Sequence, residues 1–74
     1  MFVKIKIGKQ YAGSEFKVNR FGEFKPGKFS PVSSQLLARV YNISEDKAQL
    51  IADMERLAAY LNESINQIEM EKVA

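Results

Sequence analysis

Hydrophobic and polar positions change rhythm once along this chain, near residue 30. Before that point they alternate. Met1, Val3, Ile5 and Ile7 are interleaved with Phe2, Lys4 and Lys6, the period of two that sends every second side chain to the same face of a strand. Gly8 and Gly13 bracket a turn region, after which Phe16 and Val18 alternate with Glu15 and Lys17. Asn19-Arg20-Phe21-Gly22 then reads as a type I turn closed by a left-handed glycine, a three-residue hairpin loop. A loop of residues 20–22 sets Asn19 opposite Glu23, Val18 opposite Phe24 and Lys17 opposite Lys25, so apolar residues meet on one face. A longer loop would mix the faces. Lys25-Pro26-Gly27-Lys28 is expected to end the sheet, because proline cannot donate to a ladder.

After residue 30 the spacing becomes helical. Ser30 suits an N-cap and Pro31 the first helical position. Val32, Leu36, Leu37, Val40 and Tyr41 continue the pattern to about Asn42, which suits a left-handed C-cap. Ser44 is expected to cap a second, longer helix. Its Ile51, Met54, Ala58, Leu61, Ile65 and Ile68 are spaced alternately three and four apart, the seam of a coiled coil. From Ser44 to about Met70 such a helix would run roughly 40 Å, against a radius of gyration near 12 Å for a chain of this size. Its far end would overhang, and Leu61, Ile65 and Ile68 would then form a homodimer seam. The alternative is a break at Asn62-Glu63-Ser64, with Ser64 and Gln67 starting a new turn and the tail folding back. The overhang is the preferred reading. The expected fold is therefore α+β: a three-stranded antiparallel sheet followed by a short and a long α-helix, packed on one sheet face.

Seventy-four residues leave room for a single domain, residues 1–74. Below about 70–80 residues one core seldom supplies more than about 3–5 kcal/mol without disulfides, metal or self-association. Cysteine and histidine are both absent, which removes the first two staples and raises the weight of the third. The same absence excludes thiolate and imidazole metal sites and Cys/His or Ser/His/Asp catalysis. Ser30, Ser33, Ser34 and Ser44 have no histidine base, and no carboxylate pair marks a cleft. No enzyme, no metal and no cofactor are expected. No apolar run approaches the roughly 18 residues of a membrane span, and lysines interrupt the start of the chain where a signal peptide would be apolar. A cytoplasmic protein that does not engage membrane is expected.

Charge divides the chain as sharply as periodicity does. The formal charge is +2, yet residues 1–30 carry seven basic groups against two acidic, and residues 31–74 carry four against seven. A basic sheet half is thus joined to an acidic helical half. Phe2, Lys4, Lys6, Lys17, Arg20, Phe21 and Lys25 form the candidate surface for a protein partner or a polyanion, with lysine for phosphate and aromatic rings for stacking or anchoring. Leu37, Ala38, Tyr41, Asn42, Ile43, Ala48 and Ile51 loosely fit the spacing of a DNA-binding helix-turn-helix. Its reading helix would present Glu45, Asp46, Gln49 and Asp53 where phosphates need cations. Gly8 to Ser14 superficially resembles a phosphate-binding loop but lacks the lysine after Gly13 and leads into a strand, so a hairpin connection is expected. The balance favours a non-enzymatic binding module, an adaptor or inhibitor of a protein partner of the kind found in phages and other mobile elements. The alternative is a nucleic-acid-binding regulator using the basic sheet or the helix pair.

Overall fold

The alternating residues become strands, but the sheet is larger than the sequence suggests. A computed structural model describes residues 1–73, in which five antiparallel strands pack against one α-helix. The strands are β1 (Phe2–Ile7), β2 (Gln10–Val18), β3 (Phe24–Val32), β4 (Tyr41–Asn42) and β5 (Glu69–Val73), and α1 is Lys47–Tyr60. Gly8, with φ near 60°, reverses the chain after Ile7, so that Ile7 faces Gln10. A positive φ at the first turn residue alone fits a II′ turn, whose twist matches the flanking strands.

The second hairpin has the register that loop length predicts. Val18 faces Phe24 and Lys17 faces Lys25, with Gly22 at φ 78°. The Asn19 carboxamide oxygen accepts from the backbone N–H groups of Phe21 (2.9 Å) and Glu23 (3.0 Å), locking the loop.

Pro26 does not end the sheet; β3 runs on to Val32, pairing Pro31 with Ala12. The N–H of Asn19 bonds to the carbonyl of Glu23 at 3.0 Å. Hydrogen-bonded and non-bonded pairs alternate from there, so the nitrogen of Pro26, opposite Phe16, lies on the free outer edge. An edge strand tolerates that.

Residues 31–42 do not form the expected short helix. Val32 stays in β3, and the next residues make only two overlapping turns, Leu37 N–H to Ser34 O (3.1 Å) and Ala38 N–H to Gln35 O (3.4 Å). Residues preceding proline favour extended backbone, and β2 supplies a ladder that so short a helix cannot match. Gly13 makes room for this segment: a methyl group there would stand 2.7 Å from a Val32 methyl and 3.2 Å from the Leu37 carbonyl oxygen.

Residues 38–42 then fill a gap in the sheet. β1 and β2 pair only at Lys6–Tyr11 and Ile7–Gln10 and diverge beyond. Ala38 bridges Gly13, Arg39 N–H reaches Ala12 O at 2.9 Å, and Tyr41 and Asn42 pair with Val3 and Phe2.

The long overhanging helix is absent too. α1 starts after Asp46 rather than Ser44 and stops at Tyr60. Asn62, at φ 54°, is the left-handed terminator, the role expected of Asn42. Glu63 N–H bonds to Ala58 O (2.9 Å) and Asn62 N–H to Ala59 O (3.2 Å), the paired bonds of a Schellman end. Ser64 then accepts from Asn66 N–H and starts a single 3-10 turn, Ile65–Gln67. The chain folds back, and β5 pairs along β1 from Val73 opposite Phe2 to Glu69 opposite Lys6. Leu61 and Ile68 pack against the core, so two of the three residues expected at a coiled-coil seam face inward. Ile65 alone is exposed.

The core gathers Val3, Ile5 and Ile7 of β1 with Ala12, Tyr41, Leu50, Leu57 and Ala58. The buried helix stripe is Leu50, Asp53, Leu57, one residue round from the stripe that apolar content selects; Ile51 is exposed.

Candidate interaction arm and the buried aspartate at its base

Beyond Ser14 the β2–β3 hairpin leaves the globule. Tyr11 to Ser14 are buried, whereas Glu15 to Val18 and Phe24 to Pro26 are exposed. The register shifts at this boundary. Ser14 faces Phe29 but Phe16 faces Pro26, so Gly27 and Lys28 together oppose Glu15 in a bulge. Such a bulge bends and twists a ribbon. Gly27 suits it, since a methyl there would lie 3.2 Å from the Glu15 carbonyl oxygen.

Strand parity gives this arm two faces. Phe16, Val18, Phe24 and Pro26 share one, on the side of β2 that carries Ala12 and Ser14. The other carries Lys17 and Lys25 directly opposite each other, flanked by Glu15 and Glu23. At the tip Phe21 is 74% exposed, with the Arg20 guanidinium 5.4 Å from its ring centroid.

The base is held by a polar cluster that the sequence reading missed. Asp53 is fully buried and accepts four hydrogen bonds. Tyr41 OH (2.5 Å) and Arg39 Nη1 (2.9 Å) donate to Oδ2, and Gln49 Nε2 (2.9 Å) and Arg56 Nη1 (2.7 Å) donate to Oδ1. Arg39 also donates from Nε to Ser14 Oγ at 2.7 Å and lies 5.4 Å from the centroid of the Phe29 ring. One carboxylate thus ties α1 to β4 and to both strands of the arm, where they leave the core. Burial works against the ionised Asp53, but hydrogen bonds from Tyr41, Arg56 and Arg39 outweigh it and hold the pKa below the ordinary carboxylate value. Burial, and then its bond to Asp53, push the Tyr41 hydroxyl above its ordinary pKa. The sequence did carry a signal: Asp53 falls three residues after Leu50 and four before Leu57, on the stripe that packs inward.

The candidate surface residues separate into two groups. Lys17, Arg20, Phe21 and Lys25 lie on the arm. Phe2, Lys4 and Lys6 lie on the outer face of β1, which is not the open basic surface the strand pattern suggests. Lys4 faces Glu71 and donates to the Gln35 carbonyl at 2.6 Å; Lys6 faces Glu69, at 3.9 Å from its carboxylate, and lies over the Tyr11 ring. Tyr11 OH donates to Glu71 at 2.8 Å, a bond that raises the phenol's pKa, with burial adding to it. Phe2 remains half-exposed beside Val73. The basic and acidic halves of the sequence are therefore interleaved, because β5 returns two glutamates beside two lysines. No helix among the described residues is long and apolar enough to cross a membrane. Neither a protein family, nor a curated protein, nor a solved structure matches this chain.

Proposed function

We propose that the chain is a non-enzymatic binding module, an adaptor or inhibitor that presents the Arg20–Phe21 tip to a protein partner with an acidic rim. The carrying observation is the tip itself: an aromatic ring 74% exposed, stacked with a guanidinium, on a loop locked by the Asn19 side chain. Arginine and aromatic residues are the commonest anchors of protein interfaces, and a pre-ordered loop loses little entropy on binding. Accessory proteins of phages and mobile elements are often this small and free of cysteine, and a cysteine-free chain suits a reducing cytoplasm.

Nucleic acid is the second reading, favoured by the cross-strand Lys17–Lys25 pair. Glu15 and Glu23 on the same face weaken it, as do the internal partners of Lys4 and Lys6. The helix-turn-helix form of that reading falls with the first helix.

Immobilised wild-type chain and its Phe21→Ser and Arg20→Ser variants would be compared for capture from a host lysate. A protein retained by wild type and lost by both variants is expected; capture indifferent to the tip refutes the proposal. A salt titration against duplex DNA separates the second reading, which predicts binding that weakens by about one log unit per log unit of salt for each phosphate contact.

A further inference from the structure

We infer that Arg39 is a positioning residue: its side chain fixes the direction in which the β2–β3 arm leaves the globule, and its release turns the arm into a pivoting lever. The ladder between β1 and β2 is confined to Lys6–Tyr11 and Ile7–Gln10, so past Tyr11 the arm has lost β1 as a neighbour. Residues 38–39 take over that role. Ala38 bridges Gly13, and the Arg39 N–H reaches Ala12 O at 2.9 Å. The Arg39 side chain then extends the tie one step further out.

That step lands on the root of the arm. Ser14 and Phe29 face each other and form the last pair before the bulge. Arg39 touches both, donating from Nε to Ser14 Oγ at 2.7 Å and standing 5.4 Å from the centroid of the Phe29 ring. A planar guanidinium that bonds along one edge and stacks on a ring leaves such a pair little freedom to turn. Its Nη1 is held in turn by Asp53 at 2.9 Å, so the direction of the arm is set relative to α1.

Further out the arm has no comparable tie. Among the described residues, the side-chain hydrogen bonds of residues 15–28 stay within the arm. The backbone beyond the root is pliant as well. Pro26 donates no N–H, Gly27 has no side chain, and two residues oppose one at Glu15. A two-stranded hairpin is marginal by itself, so the arm takes its bearing from the root.

Lever arithmetic gives the size of the effect. Six steps along the strand separate Ser14 from Arg20, which at about 3.3 Å each puts the tip roughly 20 Å beyond the root. A rotation of about 20° at the root then carries the tip about 7 Å, past the roughly 4 Å of a direct contact. The inference concerns the arm alone and holds whatever the tip meets.

The chain contains no cysteine, so pairs of nitroxide labels can be placed freely and their distance distributions read by pulsed electron spin resonance. Glu23→Cys, near the tip, and Ser30→Cys, on the globule side of the root, are each paired with Glu55→Cys on the exposed side of α1. Both distributions are expected to be narrow when Arg39 is present. Arg39→Met should broaden the distance from 23 to 55 by about 7 Å, the excursion of the lever, and leave the distance from 30 to 55 unchanged. Ser14→Ala cuts the bond to the arm but keeps Arg39 on Asp53; it should broaden the tip distance by less, and it is decisive if Arg39→Met fails to fold by far-UV circular dichroism. Three results would each overturn the proposal. One is a tip distance already as broad with Arg39 present; another is an unchanged tip distance in folded Arg39→Met, or in Ser14→Ala where Arg39→Met does not fold. The third is equal broadening from 30 to 55, which a general loosening of the globule produces.

Discussion

Asp53→Asn tests whether the buried carboxylate holds the arm to the core. The substitution keeps size and shape but removes the charge that faces Arg39 and Arg56, and replaces one acceptor oxygen by a donor. Removing one partner of a buried ion pair costs about 3–5 kcal/mol. The side chains of Arg39 and Arg56 are 28% and 54% exposed, so both can recover water, and the cost falls to about 2–3 kcal/mol. A core of this size supplies about 3–5 kcal/mol in all, leaving the variant close to its unfolding midpoint. With an m value near 1 kcal/mol/M in urea, the midpoint should drop by about 2–3 M. Urea titration followed by circular dichroism measures it. A double-mutant cycle with Arg39→Met, which keeps a long apolar stem, should return a coupling above about 1 kcal/mol. A midpoint shift under about 0.5 M would refute the role assigned to Asp53.

The same carboxylate fixes one arm of the pH dependence. Asp53 binds its proton more weakly when folded than when unfolded, so its contribution is fully present above the ordinary value of about 3.9 and disappears as pH falls through the lower folded value; urea midpoints from pH 7 to 2 should show it, and Asp53→Asn should flatten that descent. Gly13→Ala puts a methyl 2.7 Å from Val32 and should cost about 1–3 kcal/mol, read as a fall in melting temperature. Asn62→Gly relieves a side chain at φ 54° and should gain about 0.5–1 kcal/mol, whereas a stability loss would place the helix end elsewhere.

The local signals proved reliable where a few neighbouring residues carry the whole decision. Asn19 and Gly22 specify their loop by themselves, one by accepting two backbone hydrogen bonds and the other by a positive φ, and loop length then dictates the pairing of Val18 with Phe24. The alternation of Val3, Ile5 and Ile7 likewise identifies the buried face of β1 without outside help. Arg20 and Phe21 could be placed at an exposed tip for the same reason.

Residues 31–42 were decided by tertiary contact. Their apolar spacing is compatible with a short helix or with an extended path, and the backbone of β2 at Ala12 and Gly13 offers bonds to the extended form alone. Leu36 is then left 89% exposed, at odds with the apolar face its spacing suggests. The chain after Tyr60 shows the same dependence: three-and-four spacing through Ile68 is satisfied equally by a straight seam or by a left-handed break at Asn62, and β5 gains a full ladder with β1 only after the break. Asp53 is the plainest case. Sequence composition marks an aspartate as a surface residue, and burial becomes acceptable only when Arg39, Tyr41, Gln49 and Arg56 converge on it. Three of those four partners lie within twelve residues or on the same helix, but the geometry that brings them together exists only once β4 has entered the sheet. By itself the chain determined the hairpin loop at residues 20–22 and one strand face, because these depend on φ angles and side-chain alternation; the extent of the first turn, where Gln10–Gly13 joined β2, the number of strands, the length of the helix and the ionic anchor depended on which distant backbone and side-chain groups were left to satisfy.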